Sequence, residues 1–265
     1  METGPDRQVD VLVESGPDGV VTLVLNRPHR MNAWTDAMES RYFDALEAAD
    51  RDPDVRAVVV TGSGRAFCAG ADMDVLDTLS RDESGYRALK RPKTFPLTFR
   101  KPLIAAINGP CAGIGLVQAL YCDIRVVSTE AKITNAFARR GLIAEHGISW
   151  ALPRLVGLER ALDLLISART ILGTEAVSIG LAAKAVTPED VLEEAQRYAR
   201  YVATHCSPHS IATIKRQLHA HQSVDLATAL EESDQDLAAS LTWPDLAEGV
   251  ASFTERREPK FPPLD

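Results

Sequence analysis

Apolar positions along the chain change their spacing several times, and each change predicts an element. Val9–Glu14 and Val20–Leu25 are β-branched, partly alternating runs separated by Pro17-Asp18-Gly19, which predicts a hairpin. Thr35 then stands before Asp36 and Glu39, with Met38, Tyr42, Leu46 and Ala49 at helical spacing, so a capped helix with one buried face follows. Continuous apolar runs at Ala57–Thr61, Leu103–Asn108 and Ile124–Val127 alternate with helix-like stretches near 73–92 and 113–121. Repeated βα units of this kind predict a largely parallel sheet covered by helices. Beyond Ser149 the pattern is helix after helix, over about 149–155, 158–167, 174–179, 189–205, 208–219, 225–240 and 244–254, with Ala185–Val186 as one short strand. The expected division is an α/β core over 1–195 and a helical C-terminal region over 196–265.

Composition narrows the function classes. The 265 residues are 45% hydrophobic, enough for one substantial core. A net charge of -8 gives no general electrostatic footprint for nucleic acid or an anionic membrane. The polar start Met1–Gln8 and the lack of a long uninterrupted apolar run predict no membrane span and a cytoplasmic protein. Cys68, Cys111, Cys122 and Cys206 form no C-x-x-C pair, and His219-Ala-His221 lacks a third ligand nearby, so reduced thiols and no metal site are expected.

The candidate chemistry lies in two glycine-punctuated turns. Gly62-Ser-Gly-Arg-Ala-Phe-Cys-Ala-Gly-Ala-Asp-Met73 and Asn108-Gly-Pro-Cys-Ala-Gly-Ile-Gly115 each follow a strand-like run. Each offers backbone N–H groups to negative charge, and neighbouring parallel strands would bring them together as an oxyanion hole. Neither turn has the G-K-[ST] ending of a phosphate loop, and no ribose-binding acid of a dinucleotide site is present.

Five ordered motifs resemble the crotonase superfamily, the enoyl-CoA hydratase/isomerase family, from about Val9 to Phe261. They are Leu25-Asn-Arg-Pro28 with Asn32-Ala33, the Gly64–Met73 turn, Lys101-Pro-Leu-Ile-Ala-Ala-Ile-Asn-Gly109, Cys122-Asp-Ile-Arg125, and the tail Phe253–Phe261. The resemblance implies a ββα spiral core with an α-helical C-terminal trimerisation region, and a homotrimer or dimer of trimers. It also implies an acyl-CoA thioester substrate whose carbonyl is held by the amides of Ala71 and Ile114, with no cofactor beyond the CoA of the substrate. Isoleucine at the middle of Gly113-Ile-Gly115 fits only a negative φ. For the CoA end the resemblance implies Arg30, Ala69, Gly70, Asp72 and Met73; Arg256, Arg257 and Lys260 read either as basic groups near a neighbouring subunit's CoA or as a solvated, charged helix end.

Hydratases of this family carry two glutamates, and the corresponding places here are Val117 and Phe137. Water addition needs one group to activate water and one to supply the α-proton, so their absence argues against ordinary hydratase chemistry. Gln118 orients a water at most. Glu145 in Gly141-Leu-Ile-Ala-Glu-His-Gly147 stands where single-acid isomerases of the family keep their glutamate, and the expected reaction is a double-bond shift in an enoyl-CoA with Glu145 as acid and base. The alternatives are a hydratase or acyl-CoA hydrolase using Glu145, and a non-catalytic acyl-CoA binding protein. Glu145 also suits the N-terminus of the helix beginning near Ile148, and His146 is a candidate to tune it. Asp72 reads as a turn-stabilising acceptor, and Trp150, Phe137 and Met73 as pocket wall or core. Arg81–Gly85 and Arg91–Pro96 read as a mobile lid over the acyl pocket.

Overall fold

The computed structural model describes residues 9–16, 18–81 and 91–264. Pro17 of the predicted hairpin turn, the start Met1–Gln8 and residues 82–90 of the predicted helix and lid lie outside the described residues. Nine strands are found among them: β1 Val11–Ser15, β2 Val20–Leu25, β3 Ala57–Gly62, β4 Leu103–Ile107, β5 Cys111–Ala112, β6 Ile124–Ser128, β7 Lys132–Thr134, β8 Ile171–Leu172 and β9 Lys184–Val186. The helices are α1 Asp36–Arg51, α2 Met73–Arg81, α3 Ile114–Leu120, α4 Ile148–Val156, α5 Leu158–Ser167, α6 Gly173–Ser178, α7 Val191–His205, α8 Pro208–Ala220, α9 Leu226–Ser240 and α10 Pro244–Glu255.

The main sheet runs β1-β2-β3-β4-β6-β9 and is parallel except for the β1–β2 hairpin. Its central strands are buried on both faces, which is why they read as unbroken apolar runs rather than alternating ones. Leu23, Val58, Val60, Leu103 and Ala105 pack in one cluster with Met38, Tyr42, Phe43 and Leu46 of α1 and with α3. Val20, Ala57, Val59, Ile104 and Ala106 pack in a second cluster with Val191, Ala195 and Ala199 of α7. The boundary placed at 195/196 therefore falls inside α7, whose small-residue stripe seats directly on the sheet.

A second sheet, β5-β7-β8, is absent from the sequence expectations. Its strands have two or three residues each, too few to show a period. It nevertheless carries the second glycine turn, because Gly113 N–H donates to Thr134 C=O at 3.2 Å. α8 and α9 contain no buried residue, and Leu226, Leu230, Leu237, Leu241, Val250 and Phe253 leave apolar surface exposed on α9, α10 and the turn between them. Among the described residues no helix is long and apolar enough to cross a membrane.

The Thr35 cap is formed: its hydroxyl accepts the Met38 N–H at 3.1 Å. Thr35→Ala is expected to lower stability by about 1 kcal/mol. Leu46→Ala, which opens a cavity at a fully buried site, is expected to cost about 2–5 kcal/mol. Urea unfolding of the two variants beside the parent checks both values and their order.

Candidate active site

The first glycine turn leaves β3 and returns to pair with the segment before α1. Asn32 organises it from a buried, left-handed position, φ 54°. Its Nδ2 donates to Ser63 C=O at 2.9 Å and Ala66 C=O at 2.7 Å, while its Oδ1 accepts the Arg27 N–H at 2.8 Å. Asparagine suits this role because its amide supplies donor and acceptor and it tolerates left-handed backbone. Asn108 at the end of β4 ties the turn from the other side, donating to Gly62 C=O at 2.9 Å and Gly64 C=O at 3.0 Å.

Two backbone bridges then set the amides. Trp34 N–H donates to Gly70 C=O at 2.8 Å and Asp72 N–H to Trp34 C=O at 3.0 Å. Ala71 lies between these bonds as Trp34's parallel partner. In a parallel pairing of this kind the N–H of the flanked residue faces away from the partner strand. Likewise Cys68 pairs with Cys111, Ala112 N–H donating to Cys68 C=O at 2.9 Å. The two turns meet at Gly70 and Gly113: a Cβ on Gly113 would lie 3.6 Å from Gly70 Cα. Gly113 has φ 50° and ψ -124°, a conformation closed to side chains, and caps α3 at its N-terminus. Ile114 follows as the first residue of α3 and is not among the described residues with positive φ, so the condition its side chain imposes is met. The amides of Ala71 and Ile114 thus follow immediately after the two glycines in contact.

Asp72 behaves as the expected turn acceptor. Its carboxylate takes Arg27 Nη1 at 2.8 Å and the Asp74 N–H at 3.2 Å. Burial pushes the carboxyl up, but the hydrogen bonds and charge of Arg27 outweigh it and hold Asp72 below the ordinary range. Ala69 N–H is spent on Met31 C=O at 3.0 Å. Arg30 lies exposed on the turn 28–30, within 3.5 Å of Asp74. Met73, expected in pocket wall or core, is 59% exposed on the first turn of α2 and so is not core. Arg257 is engaged by Glu248 and Glu255 of its own chain at 2.6 Å.

The two places of the absent acids are apolar and enclosed. Val117 is fully buried in α3, and Phe137 is buried with its ring edge 4.0 Å from a Cβ built on Gly113. Gln118 donates through Nε2 to Lys93 C=O at 3.1 Å, and its Oε1 is buried without a hydrogen-bond partner among the described residues.

Glu145 sits in the loop before α4, half-buried, and does not cap the helix through its side chain; Gly147 is the N-cap. His146 has φ 55°, which folds its ring back so that Nε2 is 3.5 Å from Glu145 Oε2. Neighbours in sequence ordinarily diverge, and the left-handed turn brings these two together. Burial and the nearby Lys93 ammonium lower the His146 pKa to about 4, so the ring is neutral at pH 7. Burial raises the Glu145 pKa, and Lys93 partly opposes that shift.

Lys93 is the charged neighbour of this loop that sequence reasoning missed. Its ammonium pairs with the buried carboxylate of Glu39, which also accepts Trp34 Nε1 at 2.9 Å. The only signal was the polar Glu39 on an otherwise apolar helix face. The Arg91–Pro96 stretch, expected as part of a mobile lid, is pinned to α1 instead. Arg91 pairs with Asp44 at 2.7 Å and Glu47 at 2.6 Å, and Phe95 packs on Phe43 with ring centroids 5.2 Å apart. Trp150 stacks under Arg154 and lines a groove of about 680 Å³ between α4, α7 and α8.

Comparison with known proteins agrees with this architecture. The family model described as enoyl-CoA hydratase/isomerase matches residues 15–263. The chain is 33% identical over 250 residues to 1,2-epoxyphenylacetyl-CoA isomerase of Escherichia coli (strain K12), covering 92% of this chain and 95% of that protein. An enoyl-CoA hydratase structure from Polaromonas sp. JS666 superposes with TM-score 0.89 at 29% identity, covering 95% of this chain and 99% of the other. The enoyl-CoA hydratase EchA12_1 structure from Mycobacterium marinum has 48% identity and TM-score 0.70, covering 80% and 98%. With two glycine turns in contact on a crotonase-type α/β core, and a match running nearly end to end, the chain belongs to the enoyl-CoA hydratase/isomerase family of acyl-CoA enzymes.

Proposed function

We propose that this enzyme shifts the double bond of an enoyl-CoA, with the amides of Ala71 and Ile114 holding the thioester oxygen and Glu145 as the single acid and base. The observation that carries the reading is the asymmetry of the carboxylates. Where a two-acid hydratase would need its glutamates, buried Val117 and Phe137 stand, whereas Glu145 is ionisable, partly exposed and raised in proton affinity. A raised pKa suits a group that must both take and return a proton. In the reaction Glu145 removes a proton from the α-carbon of a β,γ-enoyl thioester. The electrons move onto the carbonyl oxygen, where two preorganised donors oppose the developing charge. Glu145, now protonated, delivers a proton to the γ-carbon and the conjugated product forms. A single donor of this type is worth about 2.7–4 kcal/mol of barrier.

The CoA portion is assigned to the turn around Ala69, Gly70, Asp72 and Met73, with the exposed Arg30 near its phosphates. Asp72 contributes there through its backbone carbonyl, since its carboxylate is committed to Arg27 and its N–H to Trp34. The exposed leucines of α9 and the turn after it, with Val250 and Phe253 of α10, support assembly into a homotrimer or a dimer of trimers.

Incubating the protein with a β,γ-enoyl-CoA or a saturated acyl-CoA in deuterated water tests the reading. Deuterium is expected at the α-carbon of the saturated thioester, or at the α- or γ-carbon of a conjugated enoyl product of otherwise unchanged composition, and Glu145→Gln is expected to slow this by about 10²–10⁴-fold. A product heavier by one water assigns the protein to hydration, and loss of CoA assigns it to hydrolysis. Binding without exchange in either protein leaves a non-catalytic acyl-CoA binder.

The charge beside Glu145 gives a second expectation. Glu145 acts as a base only when ionised, and the Lys93 ammonium favours the ionised form. Lys93→Met removes that support, so the Glu145 pKa rises and the acid limb of kcat/KM moves to higher pH, while Lys93→Arg keeps the parent profile. A pH–rate profile of the three proteins shows whether the limb moves in that direction.

A further inference from the structure

The loop that carries Glu145 holds two consecutive left-handed residues, His146 at φ 55° and Gly147 at φ 80°. His146 has a Cβ, and such a conformation persists only where surrounding contacts over-determine it. Three contacts do so. Ile148 N–H donates to Glu145 C=O at 3.1 Å, and Ala151 N–H to Gly147 C=O at 3.1 Å. The carbonyl between them, that of His146, accepts the hydroxyl of Tyr121.

Tyr121 is almost wholly buried and is the C-cap of α3, its N–H bonded to Val117 C=O and Gln118 C=O at 3.2 Å. Its hydroxyl also occupies the space beside Gly147: a Cβ there would lie 2.5 Å from Oη, 3.8 Å from Cζ and 3.9 Å from Thr94 Cγ2. Ile114, the second of the two amides, is the first residue of the same helix. Every residue of α3 is buried, and a seven-residue helix is about 10 Å long. One short rigid body thus ends in an oxyanion donor at its N-terminus and in the phenol that grips the base loop at its C-terminus.

We propose that Tyr121 is the positioning residue for Glu145, fixing the carboxylate at a set distance from the oxyanion hole through the His146 carbonyl. This rests on Glu145 being the base, as proposed above. Tyr121 touches no reacting atom in this scheme. It acts by restricting where the loop can place the carboxylate, and misplacement of about 1 Å is enough to cost roughly 10²-fold.

The test compares the parent with Tyr121→Phe, Glu145→Gln, Gly147→Ala and the Tyr121→Phe/Gly147→Ala pair. A saturated acyl-CoA serves as probe, read by α-proton exchange in deuterated water, by KM, and by the infrared C=O stretch of the bound thioester. The stretch reports the oxyanion hole alone. Tyr121→Phe is expected to slow exchange by about 10- to 100-fold with KM and the bound C=O stretch unchanged. Gly147→Ala is expected to impair exchange more in the parent than in the Tyr121→Phe background, because removal of Oη removes the 2.5 Å clash. Unchanged exchange in Tyr121→Phe overturns the proposal. So does a parallel loss of exchange and of the C=O shift, which marks a general structural defect. An equal cost of Gly147→Ala in both backgrounds also overturns it. If Glu145→Gln exchanges like the parent, the base assignment itself fails and Tyr121 loses its role with it. If only the Tyr121 variants behave normally, the base assignment stands alone.

Discussion

Everything at this site depends on the close approach of two backbones at Gly70 and Gly113. Both hold a positive φ, 104° and 50°, which side chains rarely adopt, so a residue with a Cβ at either place would distort its turn. The amides that follow, Ala71 and Ile114, would then separate. The approach is imposed from below by the parallel pairing of β3 with β4 and from the sides by Asn32 and Asn108, whose amides engage the carbonyls of the first turn. The Gly113 turn, which only glycine adopts freely, is thus carried by a large, doubly covered sheet.

The second organising element is a chain of polar interactions reaching from the first turn to the Glu145 loop. Trp34 bridges Ala71 through its backbone and donates through its indole to Glu39, and Glu39 pairs with Lys93. Lys93 in turn favours the anionic form of Glu145 and the neutral form of His146. A buried carboxylate such as Glu39 is costly without a partner, and truncating either member leaves the other charge uncompensated. The pair therefore constrains where the 91–98 segment can lie. That segment is held on α1 by charge and by the Phe43–Phe95 contact.

The C-terminal helices are built on a different principle. α7 places alanines and Val191 against the sheet and completes its second face, whereas α8 and α9 bury little within their own chain. Lys215 of α8 nevertheless anchors that region to the core, donating to Lys101 C=O at 2.6 Å and to Asp123 at 2.7 Å. The polarity change along the helices thus marks where the cover of the sheet ends.

By itself the sequence determined the elements that have a period or a cap. The doubly buried strands, the Thr35-capped α1 and the two glycine turns were legible because hydrophobic spacing and glycine are local properties. Ala71, Ile114 and Glu145 stand as candidates by resemblance to the family's motifs, not by periodicity. The tertiary structure alone decided the rest. β5, β7 and β8 are too short to alternate, and form because Cys111 and Ile133 meet across the fold. Lys93 reaches Glu39 across 54 residues, and Tyr121 reaches His146 across 25, separations that no spacing rule records. The left-handed turn at His146, which brings its ring to Glu145, is not a property of histidine; it follows from contacts that exist only once α3 and α4 have packed. Local periodicity is fixed by the chain's own chemistry, whereas the placement of charge around a site depends on which distant segments the core brings together.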